Sequence, residues 1–134
     1  MRIYISGKMT GCPYHNRPAF DAAAKRLREQ GHFVINPMNI SVLFGTEDEL
    51  AESFKVYYEE MFPILPRGYR IEGLKVDSPV SRLAREVMDA DLAAVRSCDA
   101  IYLLRGWETS RGAKRELAEA IAHGLTILQE GGEK

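Results

Sequence analysis

Cysteine is scarce in this chain. Cys12 and Cys98 are the only two in 134 residues, far apart and without metal-ligand spacing, so reduced thiols of a cytosolic protein are expected rather than a disulfide framework. An excess of charge of one sign is also missing. Eighteen basic against nineteen acidic side chains leave a net charge of -1, so no global basic field draws the chain to a nucleic-acid polymer or to anionic lipid, and any phosphate binding must be local. No apolar run approaches about 18 residues, and the first residues enter directly into a strand pattern, so neither a membrane span nor a signal peptide is expected. Histidine partners are lacking too: His15 and His123 have no spacing that points to a metal or a triad, and both read as bystanders. Neither dinucleotide nor P-loop glycine fingerprints occur, and no internal repeat or low-complexity segment is present. The length suits one domain that buries a core without metal or disulfide staples.

What is present is organised around Asp99 to Glu119, DAIYLLRGWETSRGAKRELAE. Ala100 to Leu104 is a short apolar, β-rich run of the kind that fills the middle of a parallel sheet. Arg105 to Arg111 then sets Gly106, Trp107, Glu108, Thr109 and Ser110 outside the strand's carboxyl end, where open α/β sheets place their ligands. A helix is expected from about Ser110, whose hydroxyl caps free amides. Upstream, Arg2 to Ser6 (RIYIS) reads as the first strand, followed by the glycine- and lysine-bearing loop SGKMTG. Pro18 suits a first helical turn, and Phe20, Ala23, Ala24 and Leu27 recur at helical spacing until Gly31. His32 to Ile35 is the second strand, stopped by Asn36-Pro37. Thr46 with Glu49 is a capping-box pattern for a helix from about Glu47 to Met61. Phe62 to Pro79 has no period and reads as a long loop or lid. Ser78-Pro79 predicts the cap and first turn of a helix running to about Ser97. Gly124 is a C-cap, Leu125 to Leu128 a last strand, and Gln129 to Lys134 a frayed tail. This alternation predicts a single-domain α/β parallel-sheet sandwich, flavodoxin-like or Rossmann-like, with a helical or loop insertion at about 41–80. The loops after the first strand and after Leu104 then flank one crevice.

Asp91 is the most informative carboxylate. On a helical wheel it falls within the arc of Leu83, Ala84, Val87, Met88, Ala94, Val95 and Cys98, where a carboxylate is costly unless paired, hydrogen-bonded or open to a pocket. Glu116 lies at the margin of its helix's apolar face, where an exposed glutamate is the default. Its place just past the glycine loop raises the alternative that the two carboxylates form the nucleophile and acid pair of glycosyl chemistry. Asp91 is expected to be the more desolvated and so the donor or orienting group. Glu116, at a helix start beside Lys114 and Arg115, is expected to stay ionised. Ser110 and Gly112 offer a hydroxyl and open amides to an anion, or merely cap a helix. Ser6, Gly7, Lys8, Thr10 and Gly11 have the form of a phosphate cradle, with Asn16 beside it. Trp107 either stacks on a base or covers the sheet end.

The same residues carry a family likeness. IYISGKMTG, NRPAF, GHFVINP, DADLAAVRSCDAIYLL and GWETSRGAKREL resemble, in order and spacing, the nucleoside 2-deoxyribosyltransferase-like superfamily, most closely its small phage- or prophage-borne branch. The likeness covers both ends of the chain but not roughly 41–80. It implies that Glu116 is the helix glutamate attacking C1' of a nucleoside or nucleotide. It implies that Asp91, in a D-L pair, is the acid or orienting group, that Ser110, six before Glu116, binds a 5'-phosphate, and that Tyr4 is an aromatic site residue. Lys114 departs from the second glycine that the hydrolases carry two before the glutamate.

The reading drawn from the resemblance is an enzyme that cleaves or exchanges an N-glycosidic bond through a glycosyl-glutamate intermediate. The alternative is a nucleotide-derivative sensor or sponge that kept the crevice and lost turnover. A nicotinamide-dependent Rossmann enzyme is weaker, since its glycine fingerprint and the acidic residue ending strand two are missing. The expected partner is a small nucleoside or nucleotide, with no cofactor, no metal, no membrane and no nucleic-acid polymer, in a cytoplasmic homo-oligomer. The aromatic helix around Phe54, Tyr57, Tyr58 and Phe62 is a candidate contact surface.

Overall fold

The structure, a computed structural model, describes residues 1–9, 12, 16–61 and 79–131, with the backbone alone at 47 and 58–61. Thr10, Gly11, His15, residues 62–78 of the lid expected over Phe62 to Pro79, and the end of the expected tail at 132–134 lie outside the described residues. Four strands, β1 (Arg2–Ser6), β2 (Phe33–Ile35), β3 (Ala100–Leu103) and β4 (Thr126–Gln129), form one parallel sheet in the order β2-β1-β3-β4. Helices flank it, giving a flavodoxin/Rossmann-like α/β fold. The order reverses between β1 and β3, so the chain leaves these neighbours in opposite directions and opens a crevice at their carboxyl ends.

Alternation along β1 and β3 assigns the two faces. Ile3, Ile5, Ala100 and Tyr102 point to one side, where Phe20, Ala23, Ala24 and Leu27 of α1 (Arg17–Glu29) pack on them. Phe20 is fully buried, and a side chain of that size contributes about 1.5–3 kcal/mol by leaving water. Tyr4, Ile101 and Leu103 point to the other side, against Val95 and Cys98 at the end of α4 (Arg82–Arg96) and Ala120 of α5 (Arg111–Ala122). Both cysteines are free, and burial pushes the Cys98 thiol up. Gly31, at φ 91°, ends α1 in the left-handed conformation that favours glycine.

Several boundaries differ from the sequence reading. The second strand starts at Phe33, β3 stops at Leu103 and β4 runs one residue later than expected. Asn36-Pro37 does more than stop β2: the Asn36 side chain accepts from the Met38 N–H at 3.1 Å, and Pro37 opens a short helix, α2 (Pro37–Ser41). The helix α3 (Glu47–Met61) has the expected capping box, with Thr46 N–H donating to Glu49 at 3.1 Å and Glu49 N–H to Thr46 Oγ1 at 3.2 Å. Helix α4 begins at Arg82, three residues beyond Pro79, because its cap comes from elsewhere in the chain. Ser53 Oγ on α3 accepts from the Ala84 N–H at 2.8 Å and donates to the Val80 carbonyl at 2.6 Å. Through Ser53, and through Phe54 and Tyr57 packed on Ala84, Met88 and Leu92, α3 is fastened to α4. No helix among the described residues is long and apolar enough to cross a membrane.

Candidate active site

The site is built where β1 faces α5. Tyr4 and Ser6 are two apart on a strand, so both side chains leave the same face. Glu116 meets them there: Tyr4 Oη donates to Glu116 Oε2 at 2.6 Å and Ser6 Oγ donates to Oε1 at 2.6 Å. Both donors are fully buried. When Glu116 is ionised such short bonds are of the strong, charge-assisted kind, and they fix the carboxylate plane. Asp91 comes from α4 on the same face and is 8% exposed, with Oδ1 lacking a partner among the described residues. The sheet-facing place predicted from its helical arc is the one observed.

Burial dominates the electrostatics. It pushes Asp91 up to about 8, with the Glu116 charge adding to the shift. Burial also raises Glu116 to about 7, against the lowering effect of the bonds from Ser6 and Tyr4. The Tyr4 phenol is held well above its usual range by burial and then by the Glu116 and Asp91 charges. Burial thus pushes both carboxyls of the pair toward the protonated form. The expectation that Glu116 stays ionised is not met, since burial lifts it to about 7, and the expected reason for ionisation fails as well. Glu116 is the sixth residue of α5, past the free amides of the first turn. Nor does Arg115 face it: that guanidinium donates to Tyr57 Oη at 2.8 Å, tying α5 to α3. What favours the Glu116 carboxylate is its two hydroxyl donors.

The remaining candidates fall into three groups. Gly7 is buried, and a Cβ on it would stand 2.9 Å from Leu104 Cβ, so its role is close approach of the two strand ends. Lys8 is half-buried, and its carbonyl accepts from Asn16 Nδ2 at 2.8 Å, while Asn16, at φ 65°, starts α1. Asn16 therefore closes the loop as a clasp, and Ser6 is engaged by the carboxylate; the sequence reading had given both to phosphate. Ser110 Oγ accepts from the Ala113 N–H at 3.1 Å as the N-cap of α5, with Gly112 half-buried beside it. Trp107, on the 3-10 turn Trp107–Thr109, packs against the Tyr4 cluster and covers the sheet end, with its Nε1 buried and unpartnered among the described residues. His123 is exposed and 3.1 Å from Glu119. No group of three His, Cys, Asp or Glu side chains among the described residues is placed to hold a metal ion.

Sequence reasoning missed the Arg115–Tyr57 tie and the service of Ser6 to Glu116. The first joins residues 58 apart and left no local signal. The second was legible in the alternation of RIYIS, which puts Ser6 beside Tyr4.

Compared with known proteins, the chain matches no curated protein and no solved structure. The family model of a domain of unknown function, DUF4406, matches it over residues 1–65 and 66–129, nearly its whole length, and the chain belongs to that family.

Proposed function

We propose that the protein cleaves or exchanges the N-glycosidic bond of a nucleoside or deoxynucleoside 5'-monophosphate through a covalent glycosyl-Glu116 intermediate. The observation that carries this reading is the Glu116 carboxylate held at 2.6 Å by two buried hydroxyls, with a buried, partly unpartnered Asp91 coupled to it. A Glu116 oxygen attacks C1', the C1'–N bond breaks, and its electron pair leaves with the base as Asp91 supplies a proton. Water or a second base then attacks C1', releasing Glu116 and returning the proton to Asp91. Tyr4 and Ser6 position the nucleophile, and Ser110 with Gly112 at the start of α5 is the anion-facing end for a 5'-phosphate.

Incubation with each common nucleoside and nucleotide, with and without an acceptor base, tests the proposal. Release or exchange of base supports it, and neither under any condition defeats it. The raised pKa of Glu116 favours a second reading, since a carboxyl partly protonated at neutral pH binds as a donor as well as it attacks. In that reading the protein is a nucleotide-derivative sensor or sponge, identified by stoichiometric retention of an unchanged ligand.

Free Cys12 and Cys98 support a cytoplasmic setting. Apolar Ile121 on α5 and Ile127 on the edge strand β4, both exposed, support a homo-oligomer. The aromatic helix is less suited to that contact, because Tyr57 is buried within the chain; Tyr58's side chain and Phe62 lie outside the described residues. Light scattering giving a monomer mass at micromolar concentration would refute the oligomer.

A further inference from the structure

On the sheet face away from Glu116, α1 packs over β1 and β2, while α5 lies on the opposite face. Beside α1, the strands β3 and β4 are left with an open groove of about 780 Å³. That is within the range of small-molecule sites. Its apolar surface includes Leu27, Tyr102 and Leu128, and its arginine side chains, Arg26 and Arg105, are set against one carboxylate, Glu130.

The contacts divide these charges unequally. Glu130 Oε2 lies 3.2 Å from Arg26 Nη2, and the same guanidinium donates to Tyr102 Oη at 3.2 Å, so Arg26 is held down on the sheet. Glu130 Oε1 accepts from the Arg105 backbone N–H at 3.3 Å. The single carboxylate is therefore matched by Arg26. The Arg105 guanidinium is an additional cation with no side-chain partner among the described residues, and it lies against Gly131. A Cβ on Gly131 would stand 2.5 Å from Arg105 Nη2 and 3.1 Å from Nε, so the bare glycine backbone lets the guanidinium lie close against it. A planar guanidinium beside an apolar surface suits a carboxylate or phosphate carried on an organic body.

We propose that this groove is a second binding site, for a small organic anion whose charged group meets Arg105 and Arg26 and whose apolar body lies on Leu27, Tyr102 and Leu128. It is separate from the Glu116 cluster, and its test does not depend on any activity there.

Phenyl phosphate is the probe, titrated into the full-length protein at low salt and followed by backbone amide shifts. Saturable binding that moves the amides of Leu27, Arg105 and Leu128, weakens roughly tenfold in Arg105→Gln, and exceeds binding of inorganic phosphate is the expected result. Arg26→Gln, which removes the other cation of the groove, should weaken binding in the same direction, with a thermal melt beside it to read the fold. Shifts confined to the crevice around Ser6 and Glu116, affinity unaltered by both variants, equal binding of inorganic phosphate, or no saturation up to about 10 mM would each overturn the proposal.

Discussion

Glutamine at position 116 keeps the size of the side chain and its acceptor oxygen for one buried hydroxyl while removing the nucleophile. Glu116→Gln should lower turnover by at least about a thousandfold with the fold intact, read from base release beside a thermal melt. Asp91→Asn should slow cleavage less, and more for poor leaving bases than for good ones. The proposed reaction needs Glu116 ionised and Asp91 protonated, so the rate against pH should be a narrow bell with limbs set by the pair near 7 and 8. Asp91→Asn should remove the alkaline limb. The same shifts act on stability. Between about 4 and 8 the folded chain keeps protons that the unfolded chain, with ordinary values of 3.8 and 4.5, has lost. Folding then binds protons, and stability falls as pH rises through that window. The melting temperature should drop by several degrees between pH 5 and pH 9, and Asp91→Asn should flatten the drop; a melting curve independent of pH would mean the carboxyls are solvated.

At the scale of elements, α3 acts as a strap. It supplies the N-terminal cap of α4 through Ser53 and holds α5 through Tyr57 and Arg115. The two helices that carry Asp91 and Glu116 are thus tied to a segment between them and β2. Ser53 is 3% exposed and makes one bond as donor and one as acceptor. Ser53→Ala leaves both partners unsatisfied and should cost about 1–3 kcal/mol in chemical denaturation. At the strand ends, Gly7→Ala forces a methyl against Leu104 on the shared floor of the crevice. Overpacking of that kind costs about 1–3 kcal/mol, and the melt of the variant measures it.

For the whole molecule, the sheet order sets a gradient of stability. β1 and β3 are hydrogen-bonded on both sides and buried on both faces, whereas β4 lies at an edge and is mostly exposed. Hydrogen exchange should be slowest at the amides of Ile5 and Ile101 and much faster in β4. Exchange from β4 as slow as from β3 would indicate that a partner covers that edge, which is the outcome a homo-oligomer built on Ile121 and Ile127 predicts.

Local patterning was sufficient for the fold class. The alternation of RIYIS, the i, i+3, i+4 spacing in α1, the Thr46–Glu49 box and the Ser110 cap are each written within a few residues, and each element formed within a residue or two of its predicted place. Asp91 was readable for the same reason, because a helix projects a fixed angle per residue and its apolar neighbours mark the buried arc. The start of α4 was not, since its cap is a serine 31 positions away. Nor was the function of the polar groups around Glu116. Tyr4 and Ser6 precede it by 112 and 110 residues, and a hydroxyl's partner is decided by which helix the parallel sheet brings over its strand. Desolvation likewise has no local code. The raised pKa values of Asp91 and Glu116 come from the low-dielectric space enclosed when α4 and α5 close over β1, and only the packed chain creates that space.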